Sequence, residues 1–151
     1  MFTVNLKMSL ARGLFSILKA IPPGKITTLE IMDTARKCYQ KFGAVCEPLQ
    51  AMQKEIDAKV KEYEKKYKET EGVEAKAALE AEANAAVPPL LAARGEKEIE
   101  IVSVELSDEQ IEFLRSNFKT LIADQFTSIE FALEAGDALG VTYEKTEEKK
   151  A

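Results

Sequence analysis

Apolar side chains recur with the period of an amphipathic helix along one long stretch of the chain, Thr27 to Thr70. Within it, one set of apolar residues stands at seven-residue spacing, and a second set follows three residues after the first three members. The first set is Ala35, Phe42, Leu49, Ile56 and Tyr63, and the second is Cys38, Val45 and Met52. The pattern predicts a long helix with a continuous apolar stripe.

Two features interrupt this helix. Gly43 and Pro48 lie in its middle, and a proline inside a helix removes one backbone hydrogen bond and clashes with the preceding turn. Past Met52 the apolar stripe drifts, because Val60 and Tyr67 take over one residue after the heptad positions. Such drift is typical of a helix that packs locally. We therefore predict a kink, or two helices meeting, near residues 44–48, and a short hairpin instead of an extended coiled coil.

Three capping-box sequences predict further helix starts. They are Thr27–Glu30, Ser107–Gln110 and Thr127–Glu130. The second is predicted to open a helix whose apolar positions extend to Leu121, and the third a helix that runs to Gly140. We expect the following apolar residues of the predicted helices to be almost fully buried: Phe42, Leu49, Ile111, Leu114 and Phe118.

Alternation of apolar and polar residues predicts strands at Met1–Lys7 and Glu98–Leu106, and Val141–Tyr143 is a candidate for a short third strand. In the second strand the inward positions change parity at Ile101-Val102, which suggests burial on both faces or a bulge. Between the first strand and Pro22-Pro23-Gly24, we predict a helix capped by Ser9.

The segment Val73–Ala86 is rich in alanine, so it is helical by propensity but can bury little surface alone. One interpretation is an antiparallel helical arm, folded back on the preceding helix through Gly72. The other is a mobile low-complexity linker; we favour the arm. Pro88-Pro89 are expected to end or restart the helix, with one further turn before Gly95.

The strands and helices do not alternate as a parallel sheet requires. We therefore predict a mainly helical α+β fold, with a long kinked helix, an antiparallel helical arm and a small two- or three-stranded sheet. The predicted organisation is one domain, residues 1–143, within which residues 52–94 form the arm. Residues 144–151 form a charged tail.

Charge is distributed unevenly along the 151 residues, whose net charge is −5. Residues 1–51 carry 7 basic and 3 acidic side chains, whereas residues 71–143 carry 5 basic and 15 acidic ones. The two parts could pack together in one fold, or identical subunits could associate head to tail. No basic stripe with interleaved aromatics occurs, so we expect no nucleic-acid binding.

The residue types that usually carry chemistry are missing or poorly spaced. The chain has no histidine, which is the commonest general base and metal ligand. Cys38 and Cys46 would lie about 12 Å apart along a continuous helix, too far for a disulfide and unlike zinc-site spacing. No glycine-rich phosphate loop occurs. We therefore predict no catalytic, cofactor-binding or metal site.

Two tyrosines on the arm are the leading candidates for an interface. Tyr63 and Tyr67 are one helical turn apart, and they could either pack against the alanine-rich helix or present exposed anchors to a partner. A second candidate interface is the basic N-terminal face around Arg12, Lys19 and Lys25.

Neither a membrane span nor a secretory signal is expected. No apolar run reaches the roughly 18 residues that a spanning helix needs. The stretch Met1–Met8 alternates apolar and polar residues and lacks the basic segment of a signal peptide. The sequence thus predicts a protein that stays in the cytoplasm.

The order of these elements resembles a family of small, largely uncharacterised proteins from tailed phages and prophages. The similarity covers roughly residues 9–123. The segments that carry it are Leu14–Lys25, Ile26–Tyr67, the acidic spacer from Glu69, Leu90-Leu91, Glu98–Leu106 and Ser107–Leu121. The resemblance supplies no catalytic residue.

These observations together predict a non-enzymatic, phage-type protein. We expect it to act by contact with a protein partner or by self-association as a homo-oligomer. Its predicted role is that of a virion component or assembly factor, located in the virion or the host cytoplasm. The alternative is a small inhibitor that binds and blocks a host protein, such as an anti-defence or host-takeover factor.

Overall fold

The computed structural model describes residues 1–21, 28–123 and 128–141. It contains a mainly helical α+β fold, as predicted, with a small sheet that has two strands among the described residues. The strands are β1 (Phe2–Lys7) and β2 (Ile101–Leu106). The helices are α1 (Met8–Lys19), α2 (Leu29–Val45), α3 (Glu47–Glu69), α4 (Val73–Glu98), α5 (Asp108–Ala123) and α6 (Ile129–Leu139).

The chain forms two compact units. The first, here called the core unit, comprises Met1–Val45 and Ile101–Ala151. The second, here called the hairpin unit, is Cys46–Glu100 and consists of α3 and α4. The predicted arm, residues 52–94, lies inside the hairpin unit.

The sheet of the core unit is an antiparallel pair of strands, with Phe2 opposite Leu106 and Lys7 opposite Ile101. One face alternates into the core, where Val4 and Val104 are buried, because successive side chains of a strand point to opposite faces. The predicted start of β2 at Glu98 was wrong, since α4 extends through that residue. The inward positions change parity at Ile101-Val102 because β2 begins there. Its pairing with β1 is continuous, so the strand contains no bulge.

One hydrophobic cluster fills the core unit, with contributions from both strands and from α1, α2, α5 and α6. The predictions for this cluster are confirmed: Phe42, Ile111, Leu114 and Phe118 are all buried. Leu49 is also fully buried, but it belongs to the hairpin unit. The core unit therefore has the closed interior expected of an independently packed domain.

The predicted capping box of α5 is confirmed. The Gln110 backbone N–H donates to Ser107 Oγ at 3.2 Å, and the Ser107 backbone N–H donates to Gln110 Oε1 at 3.0 Å. The Gln110 side chain is buried, and its Oε1 also accepts a hydrogen bond from Lys41 Nζ at 2.8 Å. This one amide therefore joins the start of α5 to α2.

The other predicted helix starts need correction. The caps that the structure shows are Thr28 and Ser128, whose hydroxyls accept from Ile31 N at 3.2 Å and Phe131 N at 3.1 Å. Each helix therefore begins one residue later than predicted, because either hydroxyl of a Thr-Thr or Thr-Ser pair can cap. Ser9 caps nothing, since α1 already begins at Met8.

Several predictions fall outside the described residues. They concern the caps Thr27 and Thr127, the Pro22-Pro23-Gly24 stretch, Lys25, all but the first residue of the strand Val141–Tyr143, and the tail 144–151.

The long predicted helix is divided at Cys46 into α2 and α3. This confirms the expected break near residues 44–48. Pro48 lies in the first turn of α3, where its missing N–H costs no helical hydrogen bond. The proline thus starts a helix here and does not kink one.

Helix α4 is longer than predicted. It continues through Pro88, Pro89 and Gly95 to Glu98, whereas the prolines were expected to end or restart it. Because they lack an N–H, the carbonyls of Asn84 and Ala85 lose their helical donors. Both prolines are exposed, so water can reach this side of the helix and hydrogen-bond those carbonyls.

Helix α6 closes the core unit through two close contacts. Gly13 on α1 leaves room for the Phe131 ring, since a side-chain carbon at Gly13 would lie 2.7 Å from Phe131 Cζ. At the other end of α6, Arg115 Nε donates to the Leu139 carbonyl at 2.7 Å, and its guanidinium lies 4.6 Å from the centroid of the Phe2 ring. Arg115 therefore joins the end of α6 to β1.

Replacing Ser107 by Ala should lower the free energy of unfolding by about 0.5–2 kcal/mol, because the Gln110 backbone N–H in the first turn of α5 loses its acceptor, Ser107 Oγ. Ser9→Ala is the matched control and should change the free energy of unfolding by less than about 0.5 kcal/mol. Urea denaturation of both variants measures the difference. Equal losses would show that the Ser107 box adds nothing to stability.

Candidate interaction site on the helical hairpin

Helices α3 and α4 run antiparallel in the hairpin unit. At one end, Arg94 Nη1 on α4 donates to Gln53 Oε1 on α3. At the other end, Lys76 Nζ on α4 lies 5.0 Å from the ring centroid of Tyr67 on α3. The turn between them includes Gly72, whose φ of 95° is a conformation that glycine adopts without steric cost.

The end of the hairpin near Cys46, here called the base, holds all the buried side chains of this unit. They are Cys46, Leu49 and Ile56, all on or next to α3. The Arg94 side chain crosses the base, and its buried Nε lies 3.2 Å from Glu98 Oε1. That contact is an ion pair without the alignment of a hydrogen bond.

From Asp57 to Glu100 no side chain is buried. We call residues 57–87 the distal hairpin. Helix α4, which is described throughout, buries none of its side chains, although 14 of its 26 residues are alanine, valine or leucine. Two helices gain most of their stability from tertiary packing and not from propensity alone. The distal hairpin therefore lacks the packed interior that normally stabilises such a pair.

An apolar groove of about 540 Å³ runs between the two helices of the distal hairpin. Tyr63 is half-buried in it, whereas Val60 and Tyr67 keep 36% and 38% of their surface exposed. The residues that line it are Val60, Tyr63, Glu64, Tyr67, Lys68, Leu79, Glu80, Ala83 and Val87. Its walls include the largest apolar side chains of the distal hairpin, Tyr63, Tyr67 and Leu79.

Some of the charged side chains near the groove form ion pairs within the hairpin. Glu62 and Lys66, one turn apart on α3, form an ion pair at 3.0 Å. The hydrogen bond from Lys66 lowers the pKa of Glu62, and the same contact raises the pKa of Lys66. Lys66 Nζ also lies 5.6 Å from the centroid of the Tyr63 ring.

Three charged residues on the groove itself behave differently. Glu64, Lys68 and Glu80 line it, yet none of them forms an ion pair with any of the described residues. Their charges face solvent beside an apolar surface and are available to a molecule that enters the groove.

The structure brings together only part of the predicted interface residues. Tyr63 and Tyr67 line the same groove, and they pack beside the alanine-rich helix while remaining partly exposed. Arg12 and Lys19 are exposed on α1 in the core unit, where Lys19 Nζ lies 5.3 Å from the centroid of the Phe15 ring. The tyrosines therefore combine the two environments that the sequence left open: each packs against the alanine-rich helix, and each keeps part of its ring exposed.

Leu79 and Val87 are groove residues that the sequence interpretation did not single out. They are the largest apolar residues between Lys76 and Pro88, and they stand two helical turns apart. That spacing places them on one face of α4, which is the signal that could have identified the groove.

The described residues offer little else that could do chemistry. No cluster of three or more potential metal-ligating side chains occurs among them. Burial raises the pKa of the Cys38 thiol to about 12, so this thiol stays protonated near neutral pH. No disulfide joins Cys38 to Cys46. In the part of the chain that the structure describes, no helix has the length and hydropathy that crossing a membrane requires.

Comparisons with known proteins do not assign the chain to a group. No protein-family model, no characterised protein and no solved structure matches it. Function must therefore be argued from the hairpin itself.

The double variant Tyr63→Ala, Tyr67→Ala should remain folded, because neither ring is fully buried and neither belongs to the cluster of the core unit. We expect its far-UV circular dichroism to be retained and its melting temperature to fall only slightly. Ile56→Ala, at the buried base, is the contrasting variant and should cost about 2–5 kcal/mol. If the tyrosine variant proves the less stable of the two, the tyrosines are structural.

Proposed function

We propose that this protein acts without catalysis, by contact between the groove of the distal hairpin and a protein. The observation that carries the proposal is an apolar, tyrosine-containing groove on the distal hairpin, a segment in which no side chain is buried. Burying an apolar surface stabilises a complex in proportion to the area removed from water. A partner would supply the packing that the distal hairpin lacks.

The composition of the groove supports a protein partner. Grooves between two helices are recurrent binding sites for a further amphipathic helix, which inserts apolar residues at three- and four-residue spacing. Tyrosine is enriched at positions that dominate binding energy, because its ring is apolar and its hydroxyl tolerates water. Tyr67 has this combination, since its ring lines the groove and remains partly exposed.

The resemblance to tailed-phage proteins suggests a biological role for contact between the groove and a protein. It favours a virion component or an assembly factor, acting in the host cytoplasm or the virion. The alternative role, inhibition of a host protein, would use the same groove. The identity of the bound protein distinguishes the two roles.

Site-specific photo-crosslinking tests this proposal. A photoreactive amino acid at Glu80, on the groove, should form adducts with a protein in producing cells. The same amino acid at Ala85, which is exposed on the same helix but does not line the groove, should form few. Mass spectrometry identifies the adducts.

The outcomes separate the roles. Adducts with a second copy or a virion protein from position 80 support assembly, and adducts with a host protein support inhibition. Absence of adducts from position 80, or equal adducts from both positions, contradicts contact through the groove.

A further inference from the structure

We infer that the groove is filled by a second copy of this chain, an inference that rests on the proposed function. In the arrangement that the hairpin favours, two grooves face each other across a two-fold axis parallel to the helices. Helix α3 of each copy then lies against α4 of the other, and the four helices form an antiparallel bundle. Such bundles bury a core built from facing apolar stripes.

The distribution of buried residues is the first argument. The base of the hairpin holds its three buried side chains, and the distal hairpin holds none. A second hairpin would cover the groove and enclose Tyr63, Leu79 and Ala83 between four helices. Because a two-fold contact uses the same surface on both copies, one groove completes the other.

The size of the surface is the second argument. Helix α3 has 23 residues and is therefore about 35 Å long. Two helices packed at about 10 Å present a face about 20 Å wide, or roughly 700 Å² per copy. A stable protein–protein interface buries about 800 Å² per partner. The full length of the hairpin face, base included, is therefore close to the size that a stable dimer needs.

Charge selects the orientation of the second copy. Residues 59–68 of α3 carry 5 lysines and 2 glutamates, whereas residues 73–83 of α4 carry 3 glutamates and 1 lysine. A two-fold axis parallel to the helices keeps both segments at the same height, so the basic segment of one copy meets the acidic segment of the other. An axis perpendicular to the helices would bring α3 against α3 and lose this complementarity.

One pair of groove residues makes the arrangement testable. Tyr67 lies beside Lys76 within the hairpin, so Lys68 and Glu80 differ by five residues, or about 7.5 Å, in height along the helices. Neither residue has an ion-pair partner among the described residues, and both line the groove. In the two-fold arrangement, Lys68 of each copy would form an ion pair with Glu80 of the other copy, so the dimer would contain this pair twice.

Sedimentation velocity over a dilution series measures the dimer. Lys68→Glu and Glu80→Lys should each raise its dissociation constant at least about tenfold, because each variant places like charges together twice. An equimolar mixture of the two variants should restore dimers, since the mixed pair regains both attractions. Pairing within one hairpin cannot be restored by mixing.

Two controls accompany these variants. Lys54→Glu makes the same charge change on α3, outside both the groove and the basic segment 59–68, and should leave the dissociation constant within about twofold. Circular dichroism checks that each variant is folded. The double variant Lys68→Glu, Glu80→Lys should dimerise by itself and keeps the test valid if a single variant unfolds.

A wild-type chain that is monomeric at all concentrations overturns the inference, as does a mixture that fails to restore dimers. If the chain is monomeric while position 80 still crosslinks to a different protein, contact through the groove stands and the second copy is the wrong occupant. If position 80 also forms no adducts, both proposals fail.

Discussion

The constraint on which this structure depends is the shortage of buried apolar surface in the helical hairpin. The core unit encloses a cluster drawn from both strands and four helices, whereas the hairpin unit buries side chains only at its base. Helix α4 spans 26 residues without burying one of them. Conformational entropy opposes the ordering of every such residue. The proposed complex would bury the apolar surface that the distal hairpin leaves exposed.

Alanine and tyrosine have complementary roles in that surface. Alanines on α4 favour the helical state and let α3 approach closely, but they remove little area from water. The larger side chains are concentrated along the groove, where Tyr63, Tyr67 and Leu79 lie together. The charged residues divide likewise, because Glu62 and Lys66 pair within α3 while Lys68 and Glu80 stay unpaired beside the groove. In the proposed complex, stability of the single chain and recognition of the partner use different residues.

Local signals in the sequence predicted most of the fold. Reciprocal hydrogen bonds at Ser107 and the break at Cys46 follow from residues within one helical turn, so the pattern alone indicates them. The continuation of α4 through Pro88-Pro89 could not be predicted, because it depends on both prolines facing solvent. The groove was predicted only through its tyrosines, since the positions of Leu79 and Val87 matter only once α4 is aligned against α3.

Hydrogen–deuterium exchange of the intact chain at two concentrations tests the central claim most directly, because it reports the stability of each segment separately. We expect the distal hairpin to exchange rapidly in dilute solution and to slow at least about tenfold when dimers are populated. Exchange in α5, within the core unit, should be the same at both concentrations. Distal-hairpin amides that are as protected as those of α5 in dilute solution would contradict the account.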